Sequence, residues 1–145
     1  MEKRRKESWQ EREKAMGFSI TNNKAKILEE FERKAEKALT TVGIEWQANS
    51  SILCPVVTGR LAASINYATF EGEGQPNQSY LTDEGYINQE PEDYTPRARP
   101  KRHTVVVGTN VEYAEHIEEG GSHFLRRGLQ EHVSQYKRIL KEELK

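Results

Sequence analysis

Hydrophobic residues recur at steps of three and four along residues 22–53, which predicts one long amphipathic helix. Asn22 and Asn23 can accept hydrogen bonds from free backbone N–H groups, so we expect the helix to start there. Pro55 has no N–H and restricts the residue before it, so we expect the helix to stop ahead of it. The predicted apolar stripe consists of Ile27, Leu28, Phe31, Ala35, Ala38, Leu39 and Val42.

The rest of the pattern predicts short strands and further helices. Residues 58–70 indicate a helical turn, capped by Thr58, that leads into a strand. The three valines of residues 103–110 favour a strand that is central in a sheet or buried on both faces. A short helix over 111–119 and a long helix over 124–144 follow. The fold class is therefore α+β, with a long N-terminal helix, a small antiparallel sheet, a short helix and a long C-terminal helix.

Two segments lack this periodicity. Residues 1–17 form a charged N-terminal arm whose large apolar residue is Trp9, and we expect a single domain over 18–145. Within that domain, residues 71–101 form a long polar insertion that contains four of the five prolines. Its YLTDEGYIN stretch is compatible with a hairpin that turns near Asp83–Gly85. We expect the insertion and the arm to be solvated or to contact a partner.

Composition and charge exclude several classes of protein. The formal net charge of −1 over 145 residues argues against a protein that coats nucleic acid over its whole surface. No apolar run approaches the ~18–20 residues of a membrane span, so we expect no membrane partner. The N-terminus has no apolar signal-peptide core. The single cysteine, Cys54, cannot form an internal disulfide, which suits a reducing compartment.

Candidate chemistry is sparse. His116 lies near Glu112 and His123, and a metal-dependent enzyme can be imagined there, but the spacing matches no strong metal-binding template. We find no nucleophile elbow and no phosphate-binding glycine loop. The sequence therefore predicts no enzyme, no metal and no cofactor. Arg97, Arg99, Lys101, Arg102 and His103 form a basic cluster that would suit nucleic acid phosphates or an acidic protein surface.

Two segments about 45 residues apart resemble one protein family. The first, CPVVTGRLAASI over residues 54–65, is similar to a P-x-x-T-G-x-L-x-x-S-I signature. The second, VVGTNVEYAEHIEEG over residues 106–120, is similar to V-G-[TS]-x-V-x-Y-A-x-x-x-E-x-G. Both signatures belong to the neck, or tail-completion, proteins of long-tailed double-stranded DNA phages. The FLRRGL stretch from Phe124 resembles the family's F-L-x-P-A-L turn, with Arg127 and Gly128 in place of Pro and Ala.

The motif residues suit folding roles better than catalytic ones. Pro55 ends a helix, Thr58 caps the next turn, and Gly59 allows a close approach. In the second motif Gly108 lies at a strand end, and Gly120 is expected to cap a helix. Four apolar positions of the motifs are expected to face the core or the sheet: Leu61, Ile65, Tyr113 and Ala114.

The resemblance implies a structural virion protein of a phage or prophage, at the head–tail junction or in tail completion. It implies assembly in the host cytoplasm, a ring of identical subunits, docking to connector, neck or tail proteins, and possible contact with packaged DNA. Acids of the insertion facing the basic cluster of the next subunit would make ring assembly salt-sensitive. The alternative is a nucleic-acid-binding module that uses residues 97–103. The candidate interface residues are Trp9, Glu84, Glu90, Glu92, Asp93, Arg97, Arg99, Lys101 and Arg102.

Overall fold

A computed structural model describes the backbone of residues 2–55 and 59–145, and side chains from residue 23 onward. The first helix, α1, spans Glu2–Leu53, so Asn23 lies inside it and does not cap its start. The helix ends two residues before Pro55, where an N–H donor is missing. Trp9, in the N-terminal arm, and Thr58, in the first motif, lie outside the residues whose side chains are described.

The chain divides into two compact units, Met1–Lys34 and Ala35–Lys145. The second unit therefore begins later than the domain start expected at residue 18. In the first unit Ile27, Leu28 and Phe31 are exposed. In the second unit Ala35, Ala38 and Val42 are buried. The predicted apolar stripe is thus part of a folded core only over its second half.

The second unit has the predicted α+β composition. After α1 come α2 (Arg60–Ser64), β1 (Asn66–Thr69), β2 (Ser79–Thr82), β3 (Gly85–Asn88), a 3-10 turn (Pro91–Asp93), β4 (Val105–Gly108), α3 (Ala114–Ile117), a π-helical turn (Glu118–Ser122), α4 (Phe124–Gln130) and α5 (Val133–Glu143).

The strands form two antiparallel pairs. β1 pairs with β4, with Asn66 opposite Gly108 and Ala68 opposite Val106. β2 and β3 form the predicted hairpin, with Thr82 opposite Gly85. The prediction that the valine strand is central or buried on both faces is wrong. Among the described residues β4 pairs with β1 alone, and Val107 is buried on the core side of the sheet while Val106, on the other face, is 50 % exposed.

The main core joins the two motif segments. Leu61 and Ile65 come from α2 and the residue after it, and Val107, Val111 and Ala114 come from β4, the loop after it and α3. Phe124, at the start of α4, is fully buried among them. Segments that lie far apart in sequence therefore bury one shared set of apolar side chains, which is the largest favourable term in such a small fold.

The predicted last helix is broken into α4 and α5 at Glu131 and His132. Both pieces pack on α1. The Tyr136 hydroxyl donates to the Gly128 carbonyl at 2.5 Å and accepts from Asn49 Nδ2 at 2.9 Å. A Cβ at Gly128 would lie 3.1 Å from the Ser50 backbone nitrogen, so α4 approaches α1 closely there. The break lets both helices reach α1 and lets the buried Tyr136 oxygen find partners.

Glycines with positive φ mark the turns beside the motifs. Gly59, at the N-terminus of α2, has φ of +85°, and Gly121 has φ of +118°. Gly120, expected as the cap after α3, is not left-handed. The helix continues through a π-helical turn, and the chain reverses one residue later than expected. An L-residue at Gly121 would be strained by this backbone conformation.

Candidate functional site

Arg60 joins the two motif segments to the insertion. Its Nε and Nη2 donate to both carboxylate oxygens of Asp93, each at 2.9 Å. Its Nη1 and Nη2 donate to the carboxylate of Glu112 at 3.0 and 3.1 Å. The guanidinium also lies 5.8 Å from the ring centre of Tyr113, within cation–π range. One side chain of the first motif therefore holds two residues of the second motif and one of the insertion.

The electrostatics follow from this geometry. Hydrogen bonds to Asp93 and then to Glu112 raise the pKa of Arg60, which keeps it charged. The hydrogen bonds from Arg60 lower the pKa of the exposed Glu112 carboxyl. Asp93 is only 6 % exposed, so this carboxylate depends on Arg60 for its partner. A candidate interface residue thus lies inside the subunit, where it cannot meet a partner's surface.

Thr109 and Asn110 hold the chain at residues 92–95, just before the basic cluster of residues 97–103. The Thr109 and Ser64 hydroxyl oxygens lie 2.6 Å apart in a hydrogen bond between the motifs. The Asn110 backbone N–H donates to the Asp93 carbonyl at 2.8 Å. Its side-chain amide donates to the carbonyls of Glu92 and Thr95, at 3.0 and 2.5 Å. The second motif therefore anchors the chain just before the cluster of arginines.

Glu118 provides the N-terminal cap of α4. Its two carboxylate oxygens accept hydrogen bonds from the backbone N–H groups of Leu125 and Arg126, both at 3.0 Å. A carboxylate suits this position because the start of a helix carries unpaired donors and partial positive charge.

Burial and the nearby Glu118 charge raise the pKa of Cys54 to about 11, which leaves an unreactive thiol at neutral pH.

A groove lies over the face of the β1–β4 sheet that points away from the core. Its volume is about 370 Å³, and its floor includes Val106 and Ala68. The segment 94–100 forms the opposite wall, with Pro96, Ala98 and Pro100. Asn66 Nδ2 donates to the Tyr94 carbonyl at 3.0 Å and holds one end of this wall. The groove is therefore a built, largely apolar concavity rather than a loose loop.

Basic residues line this groove and continue beyond it. Arg97 and Arg99 are exposed lining residues. Arg99 Nη1 also reaches the Thr69 carbonyl at 3.5 Å. Arg102 lies 4.8 Å from the ring centre of Phe70, and Lys101 is exposed. Four predicted interface residues are thus brought together along one edge of the sheet.

The remaining candidates, all acidic, lie on or near the hairpin. Glu84 is in its turn, where the Glu84 N–H donates to Thr82 Oγ1 at 3.2 Å, and Asp83 beside it is also exposed. Glu90 and Glu92 are exposed after β3. Leu81 is 60 % exposed and Tyr86 77 % exposed. The hairpin therefore combines an acidic turn with exposed apolar side chains.

Sequence reasoning missed the polar residues that tie the motifs together: Arg60, Thr109, Asn110 and Glu118. Each lies within a segment that carries the resemblance, and the opposite charges of Arg60 and Glu112 were the available signal. The spacing along the chain could not show that Asp93, from the insertion, completes this group.

The described residues contain neither a cluster of metal-binding side chains nor a helix able to span a membrane. Among residues 23–55 and 59–145, we find no group of three or more His, Cys, Asp or Glu side chains that could hold a metal ion. In the part of the chain that the structure describes, no helix has the length and apolar character needed to cross a bilayer.

Comparisons with known proteins assign neither a family nor a function to this chain. No protein-family model, no curated protein and no solved structure matches this chain.

Proposed function

We propose that this protein is a structural subunit of the head–tail junction of a tailed double-stranded DNA phage or prophage. It acts in neck assembly or tail completion by forming a ring and docking to connector or tail proteins. The resemblance of residues 54–65 and 106–120 to neck proteins is the starting point for this proposal.

One observation supports the proposal most strongly. The two resembling segments form one unit, because Arg60 bonds Glu112, Ser64 bonds Thr109, and both segments bury side chains in the same core. Contact between the two segments is what we expect if they are parts of one family signature. The motif residues also serve folding, which is what a structural subunit requires of its signature.

The direct test is genetic and uses electron microscopy. The gene is deleted from the phage or prophage that encodes it, and the particles are imaged after induction. We expect DNA-filled heads and finished tails that fail to join, and a plasmid copy of the wild-type gene should restore joined virions. Normal numbers of joined, infectious particles from the deletion strain would overturn the proposal.

Complementation by a folding-defective variant is compared with complementation by a variant changed at an exposed position. Phe124 is fully buried, so Phe124→Ala should prevent complementation by removing folded protein. Ile52 is 80 % exposed, so Ile52→Ala should complement like the wild type. Complementation by both variants would show that the folded domain is not what the virion requires.

Contact with packaged DNA through residues 97–103 stays a prediction. Arg99 and Arg102 make contacts within the chain that orient their guanidinium groups and leave their charge in place. Binding of duplex DNA that weakens steeply with salt would support the contact, because phosphate neutralisation releases counterions. Absence of binding at low salt would exclude it.

A further inference from the structure

The β2–β3 hairpin carries two large apolar side chains, Leu81 and Tyr86, that stay mostly exposed even though they line a concavity of about 480 Å³ beside α2 of their own chain. Leu81 and Tyr86 lie opposite each other in the strand register and are 60 % and 77 % exposed. The turn between them presents the carboxylates of Asp83 and Glu84 to solvent. Two-stranded hairpins are marginal in water unless another element covers their apolar side. Cover from another molecule would therefore stabilise this hairpin.

The groove over the β1–β4 sheet has the complementary properties. Its floor exposes Val106, its wall contributes Pro96 and Ala98, and Arg97 and Arg99 are exposed on it. Its volume of about 370 Å³ is large enough for one or two bulky side chains. The hairpin offers exposed apolar side chains and an acidic turn, whereas the groove is concave, apolar and basic.

We propose that the hairpin turn of one copy of this chain docks into the 94–100 groove of a second copy. Asp83 and Glu84 then approach Arg97 and Arg99, while the apolar side chains beside the turn cover Val106. This inference rests on the self-assembly part of the proposed function and names the two surfaces that carry it.

Charge complementarity favours a second copy as the occupant. The acidic turn and the basic wall occur in one chain, so every copy offers both halves of the contact. The net charge of −1 means that copies do not repel each other strongly as whole molecules. No residue of 79–88 is among the described residues that line the groove of the same chain. The complementary surfaces can therefore meet between copies.

The contact is heterologous, because different patches of the two copies meet. Such an interface repeats from copy to copy and gives a ring when the rotation closes. It leaves the motif core untouched, since neither the turn nor the wall contributes to that core.

Charge reversal tests the contact on the full chain. The groove variant carries Arg97→Glu and Arg99→Glu, and the hairpin variant carries Asp83→Lys and Glu84→Lys. Each should weaken the self-association constant from sedimentation by at least about tenfold, because like charges then face each other. Combining all four substitutions should restore association to near the wild-type value. The matched control, Arg138→Glu with Lys141→Glu on exposed positions of α5, should associate like the wild type.

Disulfide trapping gives a second measurement that needs no charge change in the groove. Ala98→Cys lies on the groove wall, and Glu84→Cys lies in the turn. An oxidised mixture of the two variants should give a crosslinked dimer, whereas each variant alone should give little. Pairing Glu84→Cys with Arg138→Cys should give no specific dimer. The native Cys54 is buried and should not interfere.

The outcomes separate this inference from the proposed function. Wild-type protein that stays monomeric at all concentrations would overturn the docking proposal, as would an oligomer that neither reversal weakens. Failure of the combined reversal to restore association, together with no trapped dimer, would also overturn it. None of these results changes the head–tail joining readout of the deletion strain, which tests the proposed function by itself.

Discussion

The two motif segments and the insertion of residues 71–101 differ in how they use most of their charged residues. In the motif segments, the charged and polar side chains of Arg60, Thr109 and Glu118 bond within the chain and close the fold. In the insertion, Glu84 and Arg97 remain exposed. Asp93 and Gln89 of the insertion are buried instead, and Asp93 is the residue through which Arg60 fixes the insertion. The motif segments therefore build the fold, and we propose that the insertion provides contact surfaces.

The same contrast occurs among apolar residues. Phe124 and Ile65 in the core are at most 1 % exposed, whereas Leu81 and Tyr86 in the hairpin are mostly exposed. Burial of the first pair stabilises a single subunit. Burial of the second pair would stabilise only an assembly. Stability and self-association should therefore respond to different substitutions.

The largest expected effect is the loss of Phe124. Phe124→Ala leaves a cavity at a fully buried position and should lower the free energy of unfolding by about 3–5 kcal/mol. Urea denaturation followed by circular dichroism measures this change. Ile52→Ala, at an 80 % exposed site, should stay within about 0.5 kcal/mol of the wild type. Equal effects at both positions would contradict the placement of the core.

The next effect concerns the junction around Arg60. Arg60→Met removes the partner of the buried Asp93 carboxylate and should cost about 1.5–3 kcal/mol in unfolding free energy. Arg97→Met, at an exposed position, should change stability by less than about 0.5 kcal/mol. Thermal denaturation of both variants makes the comparison. A harmless Arg60→Met would show that the hydrogen bonds of Arg60 do not contribute to the stability of the fold.

The adjacent glycines after α3 should differ in their response to alanine. Gly121→Ala places an L-residue at φ of +118° and should cost about 1–3 kcal/mol. Gly120 is not left-handed, and a Cβ there meets nothing within 4 Å, so Gly120→Ala should be close to neutral. Denaturation of the two variants under identical conditions checks the position of the turn. A larger loss of stability for Gly120→Ala than for Gly121→Ala would place the left-handed turn at Gly120.

Acid should weaken the Arg60 junction in a defined direction. The pKa of Glu112 is lowered in the folded protein, so the folded state favours the carboxylate. This contribution to stability is present above the ordinary Glu pKa of about 4.3 and is lost as pH falls through the lowered folded value. Unfolding free energies between pH 7 and acid conditions should therefore decline less for Glu112→Gln than for the wild type. Parallel declines would exclude Glu112 as a contributor.

The smallest effect on stability should accompany a clear effect on assembly. Tyr86→Ser removes an exposed ring and should change the unfolding free energy by less than about 0.5 kcal/mol. It should nevertheless weaken self-association, because the ring is expected to be buried only between copies. Denaturation and sedimentation of the same sample compare the two effects. A large loss of stability with unchanged association would assign Tyr86 to the fold instead.

Much of the fold could be predicted because the periodicity of hydrophobic residues is a local signal. It indicated α1 from residue 22 onward, the strand of β1 and the helices after residue 111, while the turn residues near Asp83 were compatible with the hairpin. It could not show how many neighbours an element has. The valine run was therefore assigned to a doubly buried strand, although β4 has one strand partner and a groove over Val106.

The remaining differences also have tertiary causes. The apolar stripe of α1 is continuous in sequence, but only its half from Ala35 onward belongs to the second compact unit. The break between α4 and α5 depends on how Gly128 and Tyr136 fit against α1. The candidate surface was partly predictable from charge alone. The inward position of Asp93 was not, because its partner lies 33 residues away in the chain.

Hydrogen–deuterium exchange at low and high protein concentration separates the amides that serve the fold from those that serve contact between copies. We expect amides of the hairpin 79–88 and the groove wall 94–100 to become more protected as copies associate. Amides of α2 and α3, which serve the fold, should exchange equally at both concentrations. Concentration-dependent protection confined to the motif segments, with none in the hairpin or the groove wall, would contradict the assignment of folding to one region and contact to the other.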